Sequence, residues 1–213
     1  MHSCTVICTD ACHPVNSFLK KWRETVRTIA TVEIVRTAAD AKGGDFLFLI
    51  SCQELVPRQI RNRFRHSLVI HASDLPRGRG MSPHVWQILE GNADLILSLL
   101  SVADPVDTGD IWHQIEMHIP RNAVFSEINA LVFKGEVALM NWALRHCDSA
   151  KPRLQAGNPT QYRRRTPADS ELDPAKPLAE LFDQLRVADP TRYPAFFRFR
   201  GRLFRVGIEP IEE

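Results

Sequence analysis

Asp45-Phe46-Leu47-Phe48-Leu49-Ile50 is a continuous apolar run of strand length. It shows no alternation, so it reads as a strand covered on both faces, as in the middle of a parallel sheet. Working outward, Leu68–His71 reads as the next strand, reached through a short helix at Val56–Phe64. On the other side, Thr31–Val35 and Thr5–Cys8 read as strands. They are joined by a helix that carries Phe18, Leu19, Trp22, Val26 and Ile29 at helical spacing and opens near Pro14. Strand–helix–strand alternation of this kind predicts an α/β fold: an open, mostly parallel twisted sheet with helices on both faces.

Beyond His71 the pattern changes. Ser82 is placed to cap a helix that begins at Pro83 and ends at Gly91, with Val85, Trp86, Ile88 and Leu89 on its apolar face. Asp94–Val102 and Ile111–Ile119 read as antiparallel neighbours, and Val124–His146 as the longest helix. Pro152–Pro174 reads as a long polar loop. A helix over Leu178–Val187 and a hairpin turning at Arg200–Gly201 close the chain. The expected organisation is a catalytic domain over residues 1–150 and a loop, helix and hairpin appendage over 151–213.

Composition narrows the function classes. With 27 basic and 25 acidic residues in 213, the formal charge is only +2, which argues against a nucleic-acid partner. No apolar run is long enough to span a bilayer, and the first residues lack a secretory signal pattern, so no membrane partner and a cytoplasmic location are expected. Cys4, Cys8 and Cys12 recur every four residues, but no second ligand pair follows at zinc spacing. Cys4 and Cys8 therefore read as small core residues, and no metal is expected. No glycine-rich phosphate cradle follows the first strand.

The chemistry concentrates in two stretches. One is Val69-Ile70-His71-Ala72-Ser73-Asp74-Leu75-Pro76-Arg77-Gly78-Arg79-Gly80, continuing to Pro83 and Trp86. The other is Asp104-Pro105-Val106-Asp107-Thr108-Gly109-Asp110-Ile111. The first leaves the carboxyl end of a buried strand, where open α/β sheets keep their active sites. A histidine there and an aspartate on a neighbouring loop suit an acid–base pair. Taken alone, the histidine fits a structural hydrogen bond equally well, and the second stretch fits a plain turn.

Together, the two stretches resemble the formyltransferase family that uses 10-formyltetrahydrofolate, which includes the methionyl-tRNA, glycinamide ribonucleotide and amino-sugar formyltransferases. The likeness continues through Arg165-Thr166-Pro167 to Asp173, Leu185–Ala188 and Tyr193–Phe197. It implies direct formyl transfer to an amine, with His71 at the oxyanion and Asp107 orienting it and receiving the amine's proton. It also implies a pterin pocket between Gln53, Glu54 and Val56 on one side and Val102, Asp104 and Val106 on the other. The family's third catalytic residue is an asparagine two positions before the histidine. Here that position holds Val69: Ser73 or a backbone amide of the loop is expected to substitute, with a subfamily built to work without the asparagine, or a weak or inactive relative, as the alternatives.

The chain ends soon after its hairpin, and with its near-neutral charge it is most similar to the compact amino-sugar branch. The resemblance thus implies a small-molecule acceptor, a nucleotide-linked amino sugar, held by Arg79, Trp86, Arg163 and Arg164. A homodimer, another small amine or aminoacyl acceptor, and a non-catalytic folate- or sugar-binding relative stay open.

Overall fold

A computed structural model of the chain describes residues 1–211; Glu212 and Glu213, at the end of the expected appendage, lie outside the described residues. The elements run in order: β1 (His2–Ile7), α1 (Val15–Thr25), β2 (Ala30–Val35), β3 (Gly44–Leu49), α2 (Arg58–Arg61), β4 (Phe64–His71), β5 (Arg79–Gly80), α3 (Pro83–Leu89), β6 (Asp94–Ser101), β7 (Ile111–His118), α4 (Phe125–His146), β8 (Gln161–Tyr162), α5 (Leu178–Arg186), β9 (Ala195–Phe199) and β10 (Arg202–Val206). Six strands form one sheet in the order β2-β1-β3-β4-β6-β7. The first four pair in parallel, β6 adds antiparallel to β4, and β7 adds antiparallel to β6.

Strand β3, the run read first, lies in the sheet's interior, with Phe46, Leu47 and Phe48 fully buried. Alternate residues feed two cores. On one face Phe46, Phe48, Leu68, Leu97 and Leu99 pack beneath α1 and α4. Trp22 of α1 is 2% exposed and donates its Nε1–H to Asn141 of α4 at 2.9 Å, which ties the two helices over this face. Truncating a side chain buried to that degree costs about 3–5 kcal/mol. The other face is thinner. Ile7, Leu47, Leu49 and Val56 gather there under α2 and a 3₁₀ turn at Ala38–Asp40.

Three local readings need correction. The expected Val56–Phe64 helix shrinks to one turn, because Pro57 and the start of β4 bound it. Ser82 sits at the N-cap of α3 but in the left-handed region (φ 52°), and its side chain makes no capping bond. Pro83 at the first helical position lacks an N–H, so one orphan donor is absent anyway. The third concerns the long polar segment, which is laced to the first part of the chain. β8 pairs in parallel with β5, Arg153 bridges Ile111, and Thr160 accepts the Arg79 N–H at 3.0 Å. Further on, Arg186, 1% exposed, donates to the carbonyls of Pro120 and Ala123. A small separate core of Leu172, Leu181, Leu185 and Ala195 supports the closing hairpin.

Candidate active site

His71 is the last residue of β4, and Asp107 lies in the β6–β7 loop; they are 7% and 9% exposed. His71 Nδ1 stands 3.6 Å from Asp107 Oδ1. The other ring nitrogen, Nε2, is 2.8 Å from the carbonyl oxygen of Gly78. A carbonyl only accepts, so Nε2 carries the hydrogen and the second nitrogen faces the carboxylate.

The loop that presents Asp107 is fixed by its sequence. Asp107 adopts φ 61°, a left-handed conformation that aspartate tolerates better than most residues. Gly109 is obligatory, since a Cβ there would stand 1.8 Å from the Ser101 carbonyl oxygen. Gln155, from the long segment, donates through one Nε2 to the carbonyls of Asp107 and Gly109 at 2.8 and 2.9 Å. Asp107 Oδ2 accepts the Gly80 N–H at 2.9 Å. Sequence reasoning missed Gln155, because it lies in a stretch without periodicity and far from the motif it steadies.

Val69 shares the face of β4 that carries His71 and packs with Leu75, Leu100 and Ile111. The expected substitutes for the missing asparagine are constrained. Backbone amides of Arg77, Gly78, Arg79 and Gly80 are all engaged, by Asp74, Thr160 (twice) and Asp107. Ser73 is 1% exposed, and its Oγ has no hydrogen-bond partner. It lies against Gly78: a Cβ on that glycine would meet Ser73 Cβ at 2.9 Å and Oγ at 3.2 Å. One residue, Gly78, therefore covers both the Nε2–H of His71 and the free hydroxyl of Ser73.

The two expected pterin segments meet through Val56 and Val102, which join Val69 in one apolar cluster. Their polar members separate. Val102 and Asp104 line a cavity of about 500 Å³ with Arg61 and Ser67, and the Asp104 carboxylate pairs with Arg61. Gln53 and Glu54 line another of about 570 Å³ with Thr9, Asp10 and Arg192, at the carboxyl ends of β1 and β3. Glu54 also accepts the Ala38 N–H at 2.9 Å, and the Val106 side chain points outward. His71 lines neither cavity.

The expected acceptor residues are largely occupied. Trp86 stacks on Tyr162 (ring centroids 6.3 Å apart) and on the Arg163 guanidinium at 4.8 Å, and donates its Nε1–H to the Arg163 carbonyl. Arg163 is no open phosphate clamp. It forks onto Asp169, which the pairing holds well below the usual carboxylate range. Arg79 donates to Gln155 at 2.6 Å. Arg164 is exposed. Cys4 and Cys8 are buried free thiols, and burial pushes Cys4 up to about 12. Among the described residues no cluster of three metal-ligating side chains occurs, and no helix is long and apolar enough to cross a membrane.

The sequence pattern of the family described as "Formyl transferase" matches residues 10–149, well over half of the chain. A methionyl-tRNA formyltransferase of Francisella philomiragia is 27% identical over 165 residues, covering 76% of this chain and 52% of that protein. The chain thus spans about half the length of that curated relative. Among solved structures, a methionyl-tRNA formyltransferase from Clostridium thermocellum superposes with a TM-score of 0.80 at 20% identity over 97% of both chains. A 4-N formyltransferase from Francisella tularensis gives 0.78 at 17% identity, covering 100% of this chain and 99% of that one. At these identities the superpositions establish the fold.

Proposed function

The chain belongs to the formyl transferase family, and within it we propose that it moves a formyl group from 10-formyltetrahydrofolate to the amine of an amino sugar. The observation that carries this reading is the buried His71–Asp107 pair at the end of β4. The amine nitrogen attacks the formyl carbon, a new N–C bond forms, and the oxygen gains negative charge. His71 Nε2–H is the donor for that oxygen once it leaves the Gly78 carbonyl, and Ser73 is uncovered by the same shift. Asp107 takes the amine's proton, directly or through a water. The bond from the formyl carbon to the folate nitrogen then breaks, and that nitrogen leaves protonated. Gln155 and the Gly80 amide act as positioning groups for Asp107.

The donor's flat pterin suits the apolar floor of Val56, Val69 and Val102, with backbone polar groups of Gln53–Val56 and Val102–Val106 at its edge. A valine in place of asparagine enlarges that floor and leaves His71 as the principal oxyanion donor. We take residues 1–150 as the catalytic unit and the described part of the appendage, 151–211, as a strap and cap packed on it.

Support for a sugar acceptor comes from the cavity at the ends of β1 and β3. Thr9, Asp10, Gln53, Glu54 and Arg192 supply hydroxyl, carboxylate, amide and guanidinium groups, a set matched to a polyhydroxylated amine. The name of the curated relative favours a second reading, an aminoacyl-tRNA acceptor. A labelled formyl-transfer assay over free amino sugars, nucleotide-linked amino sugars and methionyl-tRNA separates them. Turnover confined to methionyl-tRNA overturns the sugar acceptor, and none with any amine overturns catalysis.

A further inference from the structure

Arg165 is a charge without a counter-ion. It is 7% exposed, and no carboxylate lies within ion-pairing distance of it among the described residues. Its Nη2 donates to Ser170 Oγ at 3.2 Å, its guanidinium lies 5.5 Å from the centre of the Tyr193 ring, and its Nε is buried with no partner at all. The two nearest acids are already committed. Asp169 is held by Arg163 and by the backbone N–H and hydroxyl of Thr166; Asp189 is held by Arg192 and the backbone amides of Thr191 and Arg192. The charges of Asp169 and Asp189 offset part of the cost of burying this guanidinium, but neither pairs with it and burial still disfavours its charged form, whereas buried charges are normally paired. Replacing it with an apolar side chain of similar length would ordinarily stabilise a fold, so its presence calls for a partner from outside the chain.

Its surroundings point the same way. His84, partly buried in the first turn of α3, is close enough to feel the charge of Arg165. Enclosure, and after it the nearby charge of Arg165, pushes that imidazole down to about 4, so it is neutral near pH 7. One turn further along α3, Gln87 donates to the carbonyl of Ala72, the residue after His71, so this end of the helix is seated on the catalytic strand. Among the described residues, the carboxylates whose charge reaches Arg165, Asp169 and Asp189, are those already taken.

We propose that Arg165, packed on the ring of Tyr193 next to the cavity residue Arg192, is an oxyanion subsite at the edge of the acceptor pocket, binding a carboxylate or phosphate group carried by the acceptor. The idea rests on the acceptor reading above and moves the anion contact from the exposed Arg163–Arg164 pair to the buried arginine behind them. Guanidinium supplies planar paired donors for either oxyanion.

The test uses the full chain and no turnover, so it stands even if formyl transfer fails. Thermal unfolding is followed in inorganic phosphate, acetate or chloride at equal ionic strength, for wild type and Arg165→Met, while the His84 imidazole is titrated by NMR. With phosphate or acetate at a hundredfold excess over its dissociation constant, wild type should gain on the order of 5 °C or more over chloride. His84 should titrate higher with the anion bound, because negative charge offsets that of Arg165. Arg165→Met should melt no lower than wild type, lose the anion effect, and also show a raised His84 midpoint. A response to phosphate alone identifies a phosphorylated acceptor, and one to acetate alone an acidic one. Equal anion effects in wild type and variant, or no shift of either readout, overturn the proposal. If Arg165→Met does not fold, the wild-type His84 titration with and without phosphate and acetate decides alone.

Discussion

Asp107→Asn is the most informative single change, because the structure dictates how the amide must sit. Oδ2 accepts the Gly80 N–H at 2.9 Å, so the asparagine oxygen takes that position and the NH₂ turns toward His71. His71 Nδ1 then faces a donor in place of a carboxylate 3.6 Å away. At that separation and an effective dielectric near 20, the lost attraction for a charged imidazole is about 4–5 kcal/mol as a ceiling, or some three decades in rate. Water and the amide dipole recover part of it, so the expected fall in kcat is on the order of 100-fold or more. Donor KM should stay within about twofold, because Asp107 lines neither of the cavities at the two expected pterin segments. The assay is steady-state formyl transfer at saturating acceptor, with donor affinity followed by quenching of intrinsic fluorescence. Turnover within threefold of wild type would refute the pairing as the engine of the reaction.

Three further outcomes follow from the same geometry. Val69→Asn places an amide on the His71 face of β4 among Leu75, Leu100 and Ile111; with His71 already supplying the donor, kcat should change by less than about tenfold, and a larger gain would mean the valine enzyme lacks a working oxyanion contact. Gly109→Ala drives a Cβ to within 1.8 Å of the Ser101 carbonyl and should cost about 3 kcal/mol or more in denaturant unfolding; an unchanged midpoint contradicts the close approach. Glu136 on α4 has a buried Oε2 without a partner, and burial pushes its carboxyl up to about 8. A folded-state value above the unfolded one means stability is fully present below about pH 4.5 and declines as pH rises toward 8. Glu136→Gln should flatten that decline and melt higher than wild type at pH 8, and identical pH profiles would show the carboxyl to be solvated.

The sheet was legible because its signal is redundant. β3 carries the unbroken run Phe46–Leu49, β4 the shorter run Leu68–Ile70, and α1 and α4 carry helical spacing, so burial is written into each element separately. The meeting of His71 and Asp107 was legible for another reason: both sit in turn-rich motifs whose glycines have no tolerance, as Gly109 against Ser101 illustrates. What escaped the sequence is contact made by side chains from an aperiodic stretch. Gln155 holding the Asp107 loop, Thr160 holding Gly78 and Arg79, and Arg163 closing on Asp169 are single polar contacts spaced by tens of residues. Nothing in the pattern of Pro152–Pro174 marks which polar residue turns inward. The same blindness gave Arg163 and Arg164 one role, whereas Arg163 is paired, Arg164 exposed and the neighbouring Arg165 buried.

The central claim is transfer, so the most direct measurement is the fate of the formyl carbon. With ¹³C-formyl donor, excess amino-sugar acceptor and wild-type chain, the account predicts an N-formyl amide signal that grows one for one with released tetrahydrofolate, and His71→Gln should suppress both together. Release of tetrahydrofolate with the label recovered as free formate, or no release while the donor binds, would contradict it.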